Sequence, residues 1–174
     1  MIHIIPIQTR AFIPPKDDIF PMLEKVSRKL RENDVLVVTS KIVAIGEGRC
    51  VQITTSEAKQ ELIRHESDFR PFNEFGDSLF SIKGHTIIAS AGIDESNGNG
   101  HLILWPKDPA QSAKKIWAFL RRKTHLRNLG VVISDSYCTP MRAGVTGVAI
   151  GFYGFHPVAD HIGKKDIFGR AFTY

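Results

Sequence analysis

Two segments of the chain place carboxylates among small polar residues, directly after apolar runs typical of buried strands. In residues 92–100, Asp94 stands beside a glutamate and among asparagines and glycines. The other segment places Asp135 between Ser134 and Ser136, after three β-branched residues. Carboxylate and hydroxyl oxygens suit hard cations, and Mg²⁺ usually takes only one or two carboxylates from a protein. The two segments predict a divalent cation site, whereas a pair of ordinary polar turns is the structural alternative.

Two further segments carry cationic side chains suited to an anionic ligand. Residues 39–49 follow an apolar run and combine Ser40, Lys41 and Arg49 with two glycines, and Arg142 precedes a glycine-rich stretch. Backbone N–H groups, an ammonium group and a guanidinium group can together bind phosphate or carboxylate. The residue order does not match a Walker A motif, in which Gly-Lys-Ser/Thr opens a helix. We therefore expect a loop here, with an exposed basic turn as the alternative.

The spacing of apolar residues predicts the elements that position these segments. Periodicities indicate a mixed α/β (α+β) fold with about three helices and a strand-rich mixed sheet. One helix is predicted after Asp18, and a second over residues 57–66 with Thr54 as its N-terminal cap. A third is predicted to begin after Asp108 and to end at Gly130. The predicted strands are residues 2–8, 35–38, two runs around Gly84 within 78–90, 102–105, 131–133 and 144–155.

Composition limits the class of protein further. The chain has 174 residues, of which 43% are hydrophobic and 24% charged, which excludes a disordered or collagen-like chain. No apolar run approaches the roughly 20 residues of a membrane-spanning helix, so we expect no membrane partner. The N-terminus lacks the features of a signal peptide and there are only two cysteines, so the expected compartment is the reducing cytoplasm. We expect a single domain over residues 1–174.

The net charge of +5 favours an anionic partner, such as a nucleotide or a small phosphorylated or carboxylate substrate. The basic run Arg121-Arg122-Lys123 suits the negative end of a helix dipole. No RNA- or DNA-binding signature accompanies this run. Nucleic acid is therefore the weakest of the expected partners.

Several motifs of the chain resemble those of the coenzyme F420-0 γ-glutamyl ligase family and occur in the same order. Each motif is weak by itself, but the ordered set covers nearly the whole chain. The matching segments are 37–43 (VVTSKIV), 47–49 (EGR), 91–97 (AGIDESN), 106–109 (PKDP), 112–113 (SA), 133–136 (ISDS) and 142–151 (RAGVTGVAIG), followed by Asp160, Gly163, Asp166 and Gly169-Arg170.

The resemblance implies GTP-dependent addition of L-glutamate, through its amino group, to a carboxylate of a deazaflavin precursor by way of an acyl phosphate. It implies Mg²⁺ or Mn²⁺ as the metal, and a mixed α/β fold that forms a homodimer through extended sheet. We further expect Arg49 to bind phosphate, and Arg142 to take part in catalysis together with the two aspartates. The residues that match the family's site are Asp94, Asp135 and Ser136 for the metal, and Ser40, Lys41 and Asn97 for the nucleotide.

Two departures from the family pattern concern the nucleotide. Ile45 stands where the family usually has a lysine, so we expect weak phosphate binding unless Arg49 or Arg142 compensates. The family usually continues beyond Gly-Arg, whereas this chain ends four residues later, at Tyr174. A binding protein of the same fold, without catalysis or completed by a partner chain, is the alternative to a ligase.

Overall fold

The computed structural model describes residues 2–75, 78–138 and 141–173. Within them the chain forms four α-helices, one short 3₁₀ turn and eight strands, so the predicted mixed α/β class is confirmed. The helices are α1 (Phe20–Ser27), α2 (Ser40–Glu47), α3 (Ser56–Glu66) and α4 (Pro109–Thr124), and the 3₁₀ turn is Ser90–Gly92. The strands are β1 (Val35–Thr39), β2 (Cys50–Val51), β3 (Phe69–Phe75), β4 (Ser78–Lys83), β5 (Thr86–Ala89), β6 (Leu102–Ile103), β7 (Gly130–Tyr137) and β8 (Thr146–Tyr153).

The described strands form three separate sheets. The first has the order β1-β7-β8 and is mixed, because β1 runs parallel to β7 and β8 runs antiparallel to it. The second is the antiparallel sheet β3-β4-β5, and β2 and β6 form a short antiparallel pair. The predicted hairpin around Gly84 is confirmed as β4 and β5, whereas β3 was not predicted.

Helix α4 packs on the β1-β7-β8 sheet. Its start is as predicted, because the Asp108 side chain accepts a hydrogen bond from the Gln111 backbone N–H at 2.9 Å and proline follows at the first helical position. It ends at Thr124, before the predicted stop, and Gly130 instead begins β7. The buried residues of this core are Ile19, Leu23, Val38, Val43, Ala113, Ile116, Leu120, Leu129, Val131 and Ile133.

Two smaller apolar clusters support the remaining elements. Ile63 of α3 packs with Leu79 of β4 and with Ala91 in the 3₁₀ turn. On the buried side of α2, its residues Ala44 and Ile45 pack with Ile103 of β6. Among the described residues, no helix is both long enough and apolar enough to cross a membrane.

The strand predicted over residues 2–8 is wrong. These residues form no strand, and Ile2 and Ile4 are 93% and 91% exposed. Alternation of apolar residues reports a preference for extended backbone, but a strand also needs a neighbour with which to exchange backbone hydrogen bonds. No other described segment of the chain provides that neighbour.

The loop predicted after β1 is also wrong, because helix α2 begins there at Ser40. Gly48 ends the helix in the left-handed conformation, with φ 71°, and its backbone N–H bonds to the carbonyls of Ala44 and Ile45. Glycine at this position is a common helix terminator because it lacks a Cβ. The predicted number of about three helices therefore becomes four in the described residues.

A smaller correction concerns the cap of α3. Thr55 rather than Thr54 is the capping residue, since the Thr55 hydroxyl accepts a hydrogen bond from the Ala58 backbone N–H at 3.2 Å. The predicted range of the helix is otherwise confirmed within one residue.

Candidate functional site

A polar pocket of about 210 Å³ opens near the carboxyl ends of β1 and β7. The two strands run parallel with Thr39 opposite Ser134, so the residues that follow this point emerge at the same edge of the sheet. Ligand sites of α/β proteins commonly form at such edges. The lining residues are Thr39, Ser40, Lys41, Gly92, Asp94, Ser96, Ile103, Leu104, Asp135 and Ser136.

The carboxylate of Asp135 is held from both sides. The Ser40 hydroxyl, 3% exposed in the first turn of α2, donates to Oδ1 at 2.7 Å, and the Trp105 indole N–H donates to Oδ2 at 2.5 Å. The pairing of β7 with β8 shifts register between Ile133 and Ser134, immediately before this aspartate. Such irregularities redirect the side chains that follow them. The orientation of Asp135 is therefore set by the strand, by α2 and by Trp105 together.

Asp94 reaches the same pocket from a separate loop. Its backbone exchanges two hydrogen bonds with Ile103, at 2.9 and 2.8 Å, which anchors the loop to the end of β6. The Asp94 Oδ1 atom accepts a hydrogen bond from the Ser96 backbone N–H at 2.7 Å, and Oδ2 lies 2.6 Å from Lys41 Nζ. The same ammonium group donates to the Ser96 carbonyl at 2.5 Å and to the Ser96 hydroxyl at 2.8 Å.

This ion pair keeps Asp94 charged. Partial burial alone would raise the pKa of the Asp94 carboxyl, but the hydrogen bonds from Lys41 and Ser96 and the charge of Lys41 outweigh burial and lower it. The Asp94 side chain is 44% exposed, so it stays accessible from the pocket. An anionic carboxylate open to solvent is the form that binds a cation.

The donor set fits a hard divalent cation. Asp94, Asp135 and Ser136 offer only oxygen atoms, and each carboxylate oxygen accepts one protein hydrogen bond, which leaves lone-pair capacity. The described residues contain no group of three or more His, Cys, Asp or Glu side chains that could hold a metal. A site that supplies only one or two carboxylates leaves the other coordination positions to water and substrate oxygens. This is the usual arrangement for Mg²⁺, which is seldom bound by protein ligands alone.

The structure brings five of the predicted site residues to the pocket, namely Ser40, Lys41, Asp94, Asp135 and Ser136. Of the other three, Asn97 is exposed next to Ser96, and Arg142 is exposed in the segment between β7 and β8. Neither is among the described residues that line the pocket. Their predicted roles stay predictions.

Arg49, the third of these residues, points away into a charged cluster. Its guanidinium lies 2.7 Å from Glu66 Oε2, and its Nε donates to the Trp105 carbonyl at 3.1 Å. Lys83 Nζ lies 2.6 Å from the same Glu66 oxygen. Burial would raise the pKa of the Glu66 carboxyl, but Lys83 and Arg49 outweigh it and lower the pKa. We call Arg49, Glu66 and Lys83 the frame cluster.

Ile45 does not face the pocket. Its side chain is 2% exposed and packs with Ala44 and Ile103 in the apolar cluster beneath α2. The expectation that Ile45 marks a missing contact with phosphate is therefore wrong. A helix exposes its residues to different sides, and only the first turn of α2 lines the pocket.

Trp105 is a site residue that its sequence pattern does not reveal. It ends an apolar run, where a large aromatic side chain is ordinary core. The available signal was chemical: a buried indole N–H usually requires an acceptor. Gly92, which begins the predicted cation loop, has a second role, because its φ of 73° and its missing Cβ let the Trp105 indole approach.

The pocket joins two carboxylates, hydroxyl groups and an ammonium group at the edge of a mixed sheet, so the chain belongs among the mixed α/β proteins that carry a polar pocket at the ends of parallel strands. Comparison with known proteins gives the family. The model of the F420-0:Gamma-glutamyl ligase family matches residues 7–174. The chain belongs to this family, so the resemblance noted in the sequence is confirmed.

Three relatives illustrate the similarity, and each is named coenzyme F420:L-glutamate ligase. The protein of Methanopyrus kandleri is 30% identical over 97% of this chain and 73% of its own length. That of Archaeoglobus fulgidus is 32% identical over 97% of this chain and 74% of its own length. That of Methanosarcina mazei is 35% identical over 81% of this chain and 61% of its own length.

Proposed function

We propose that this chain is a ligase that joins the amino group of L-glutamate to a carboxylate of coenzyme F420-0 or of a similar acceptor. GTP as co-substrate and Mg²⁺ or Mn²⁺ as cofactor are part of the proposal. Family membership and the names of the relatives support the reaction class. The observation that carries the proposal is the convergence of Asp94, Asp135 and Lys41 on one pocket.

The proposed reaction has two steps. A carboxylate oxygen of the acceptor attacks the γ-phosphorus of GTP, the bond to the β–γ bridging oxygen breaks, and GDP leaves an acyl phosphate behind. The amino group of glutamate, after losing a proton to solvent, then attacks the acyl carbon. The bond between that carbon and the phosphate oxygen breaks, the nitrogen loses a second proton to the departing phosphate, and an amide and inorganic phosphate are formed. Positioning and charge neutralisation account for most of the catalysis in phosphoryl transfer of this kind.

The pocket residues divide the work. Asp94, Asp135 and Ser136 would hold the cation, which neutralises phosphate charge when bound. Ser40 orients Asp135 through its hydroxyl group. Lys41 forms an ion pair with Asp94 in the absence of ligand. When a cation binds Asp94 instead, the ammonium group of Lys41 becomes available to bind a phosphate oxygen as a point charge.

The experiment is a glutamate incorporation assay with coenzyme F420-0, GTP and Mg²⁺, read by mass spectrometry of the product. We expect metal-dependent product formation that falls about 100-fold or more in Asp135→Asn, because a charge at the reacting centre is lost. The matched control is Asp18→Asn, the same change on an exposed side chain that precedes α1 and accepts a hydrogen bond from the Phe20 backbone N–H, and it should retain wild-type turnover.

Absence of product with GTP and with ATP, across a panel of carboxylate acceptors, would contradict the ligase. Phosphate binding without turnover in that case would favour the alternative of a binding protein. Full activity of Asp135→Asn would mean that the reaction takes place elsewhere on the chain.

We also propose that the chain forms a homodimer. In the β1-β7-β8 sheet, β1 is an edge strand, and its Val35 and Val37 side chains are 47% and 60% exposed. An exposed apolar edge strand can pair with another strand, and a second copy offers the same surface as well as the exposed side chains of Ile2, Ile4 and Ile5. Sedimentation should give a dimer at micromolar concentration, and Val37→Lys should shift the population to monomer. A wild-type monomer would overturn the proposal.

A further inference from the structure

Trp105 is a buried residue whose only polar side-chain atom points at the pocket. The residue is 4% exposed, and its Nε1 donates a hydrogen bond to Asp135 Oδ2 at 2.5 Å. The other tryptophan, Trp117, donates instead to the Leu129 backbone carbonyl at 2.8 Å. Both indole N–H groups have an acceptor, as is usual for tryptophans that are buried like Trp105 or partly buried like Trp117. Only Trp105 uses a carboxylate that lines the pocket as its acceptor.

The surroundings of Trp105 are shaped to hold the indole at this carboxylate. A Cβ on Gly92 would lie 2.2 Å from Trp105 Nε1, and a Cβ on Gly84 would lie 3.3 Å from Cζ3, so both glycines leave room for the ring. Lys83 Nζ lies 5.9 Å from the ring centroid, within the range of a cation–π contact. Arg49 holds the Trp105 carbonyl. The ring and the backbone are therefore fixed independently.

The two donors to Asp135 act on different oxygens. Ser40 occupies Oδ1 and Trp105 occupies Oδ2, so rotation of the carboxylate would break both bonds. Each oxygen keeps a lone pair, because an ionised carboxylate offers about four acceptor sites in all. The carboxylate is thereby held with a defined edge toward the pocket before any ligand arrives.

We propose that Trp105 is a positioning residue, which orients Asp135 for a divalent cation through the indole N–H. This rests on the proposed function, in which Asp135 is a ligand of that cation. Groups that orient a metal ligand typically contribute about 10- to 100-fold to metal affinity. Trp105 never touches the substrate in this role, and its effect passes entirely through Asp135.

The central experiment measures Mg²⁺ affinity directly, by calorimetry without nucleotide or acceptor. Trp105→Phe removes the N–H and keeps most of the ring, so we expect Mg²⁺ to bind about 10- to 100-fold more weakly. Trp117→Phe is the matched control, because it removes the same N–H group from a backbone acceptor. It should lose stability similarly and retain wild-type affinity.

A second measurement reports on the hydrogen bond itself. The chain has two tryptophans, so Trp117→Phe leaves Trp105 as the sole source of an indole ¹H–¹⁵N resonance. That resonance should move on Asp135→Asn without metal, and should move again when Mg²⁺ is added to the Trp117→Phe protein. In Trp105→Phe, the Trp117 resonance should not respond to Mg²⁺, because Leu129 and Asp135 are separated by about 20 Å along the strand at about 3.3 Å per residue.

Ser40→Ala provides a variant with minimal change in volume, in case Trp105→Phe does not fold. It removes the other donor, and the carboxylate then depends on Trp105 alone. We expect weaker Mg²⁺ binding in Ser40→Ala, and a change in the Trp105 indole resonance as the carboxylate adjusts.

Two results from the variants would overturn the inference. One is wild-type Mg²⁺ affinity in a folded Trp105→Phe protein, and the other is an indole resonance that ignores Asp135→Asn. Neither result depends on turnover. A protein that binds Mg²⁺ as expected, with the predicted loss in Trp105→Phe, but that makes no product would refute the ligase and leave the positioning role intact. Wild-type protein that does not bind Mg²⁺ would refute the positioning role whatever its activity.

Discussion

The pocket and the frame cluster lie side by side and use the same kinds of charged side chain differently. In the pocket, Lys41 pairs with Asp94, whose side chain is 44% exposed. In the frame cluster, Arg49 and Lys83 both pair with Glu66, whose side chain is 11% exposed. The pKa is lowered for both carboxyl groups. An ion pair open to a cavity can exchange its partner for a ligand, whereas a pair enclosed by its own neighbours serves to hold the chain together.

Trp105 links the two regions. Its carbonyl accepts a hydrogen bond from Arg49 in the frame cluster, and its indole donates to Asp135 in the pocket. The frame cluster therefore fixes the residue that orients a pocket carboxylate. Charges that do not contact ligand still matter for the site, through the position of a shared neighbour.

The largest effect on stability is expected from Ile45→Lys, in the apolar layer under the pocket. Because Ile45 is 2% exposed, an ammonium group there would be buried without a partner, at a cost of about 4 kcal/mol or more. Urea unfolding measures the loss, and Ile45→Val is the control, with an expected cost of about 1 kcal/mol. Normal stability together with tighter nucleotide binding would mean that the side chain reaches the pocket after all.

The comparison between the two ion pairs is tested by neutralising each carboxylate. Asp94→Asn should lower turnover about 100-fold and change the free energy of unfolding by less than about 1 kcal/mol, since exposed pairs contribute little. Glu66→Gln should lower the free energy of unfolding by about 2–3 kcal/mol, because the partly buried Arg49 and Lys83 side chains lose their partner. Turnover assays and urea unfolding on both variants decide the matter.

The distinction between the two ion pairs is wrong if Asp94→Asn mainly lowers stability or if Glu66→Gln leaves stability unchanged. A large loss of stability in Asp94→Asn would make the Lys41 pair a structural element. Full stability in Glu66→Gln would mean that solvent already screens the frame cluster.

The smallest expected effect is on the pH dependence of stability. A carboxyl group whose pKa is lowered by folding stabilises the protein above its ordinary pKa, and this contribution is lost as the pH falls through the lowered value. Below pH 4.5, the ordinary pKa of glutamate, the melting temperature should therefore fall. Glu66→Gln should flatten this slope more than Asp94→Asn does, since Glu66 is the more enclosed. Equal slopes in the wild type and in Glu66→Gln would contradict the assignment.

Much of the fold follows from local sequence. Helix α4 begins at Asp108 and Pro109 because a capping carboxylate and a proline suit the first turn of any helix. The hairpin around Gly84 and the buried strand after Leu129 were predictable for the same reason, since turn residues and β-branched runs act over a few positions. Five of the eight predicted site residues line one pocket, and each of them comes shortly after an apolar run in the sequence.

Tertiary structure decided the rest. Residues 2–8 have the pattern of a strand but no described partner, and helix α2 replaces a predicted loop. The residue type of Arg49 and its sequence neighbours predict a phosphate ligand, whereas in the structure it pairs with Glu66, 17 positions away, in the frame cluster. Trp105 and Asp135 are 30 positions apart, and no local pattern encodes their hydrogen bond. The sequence determines which side chains need a hydrogen-bond or ion-pair partner, and the packing of distant elements determines which partner each of them contacts.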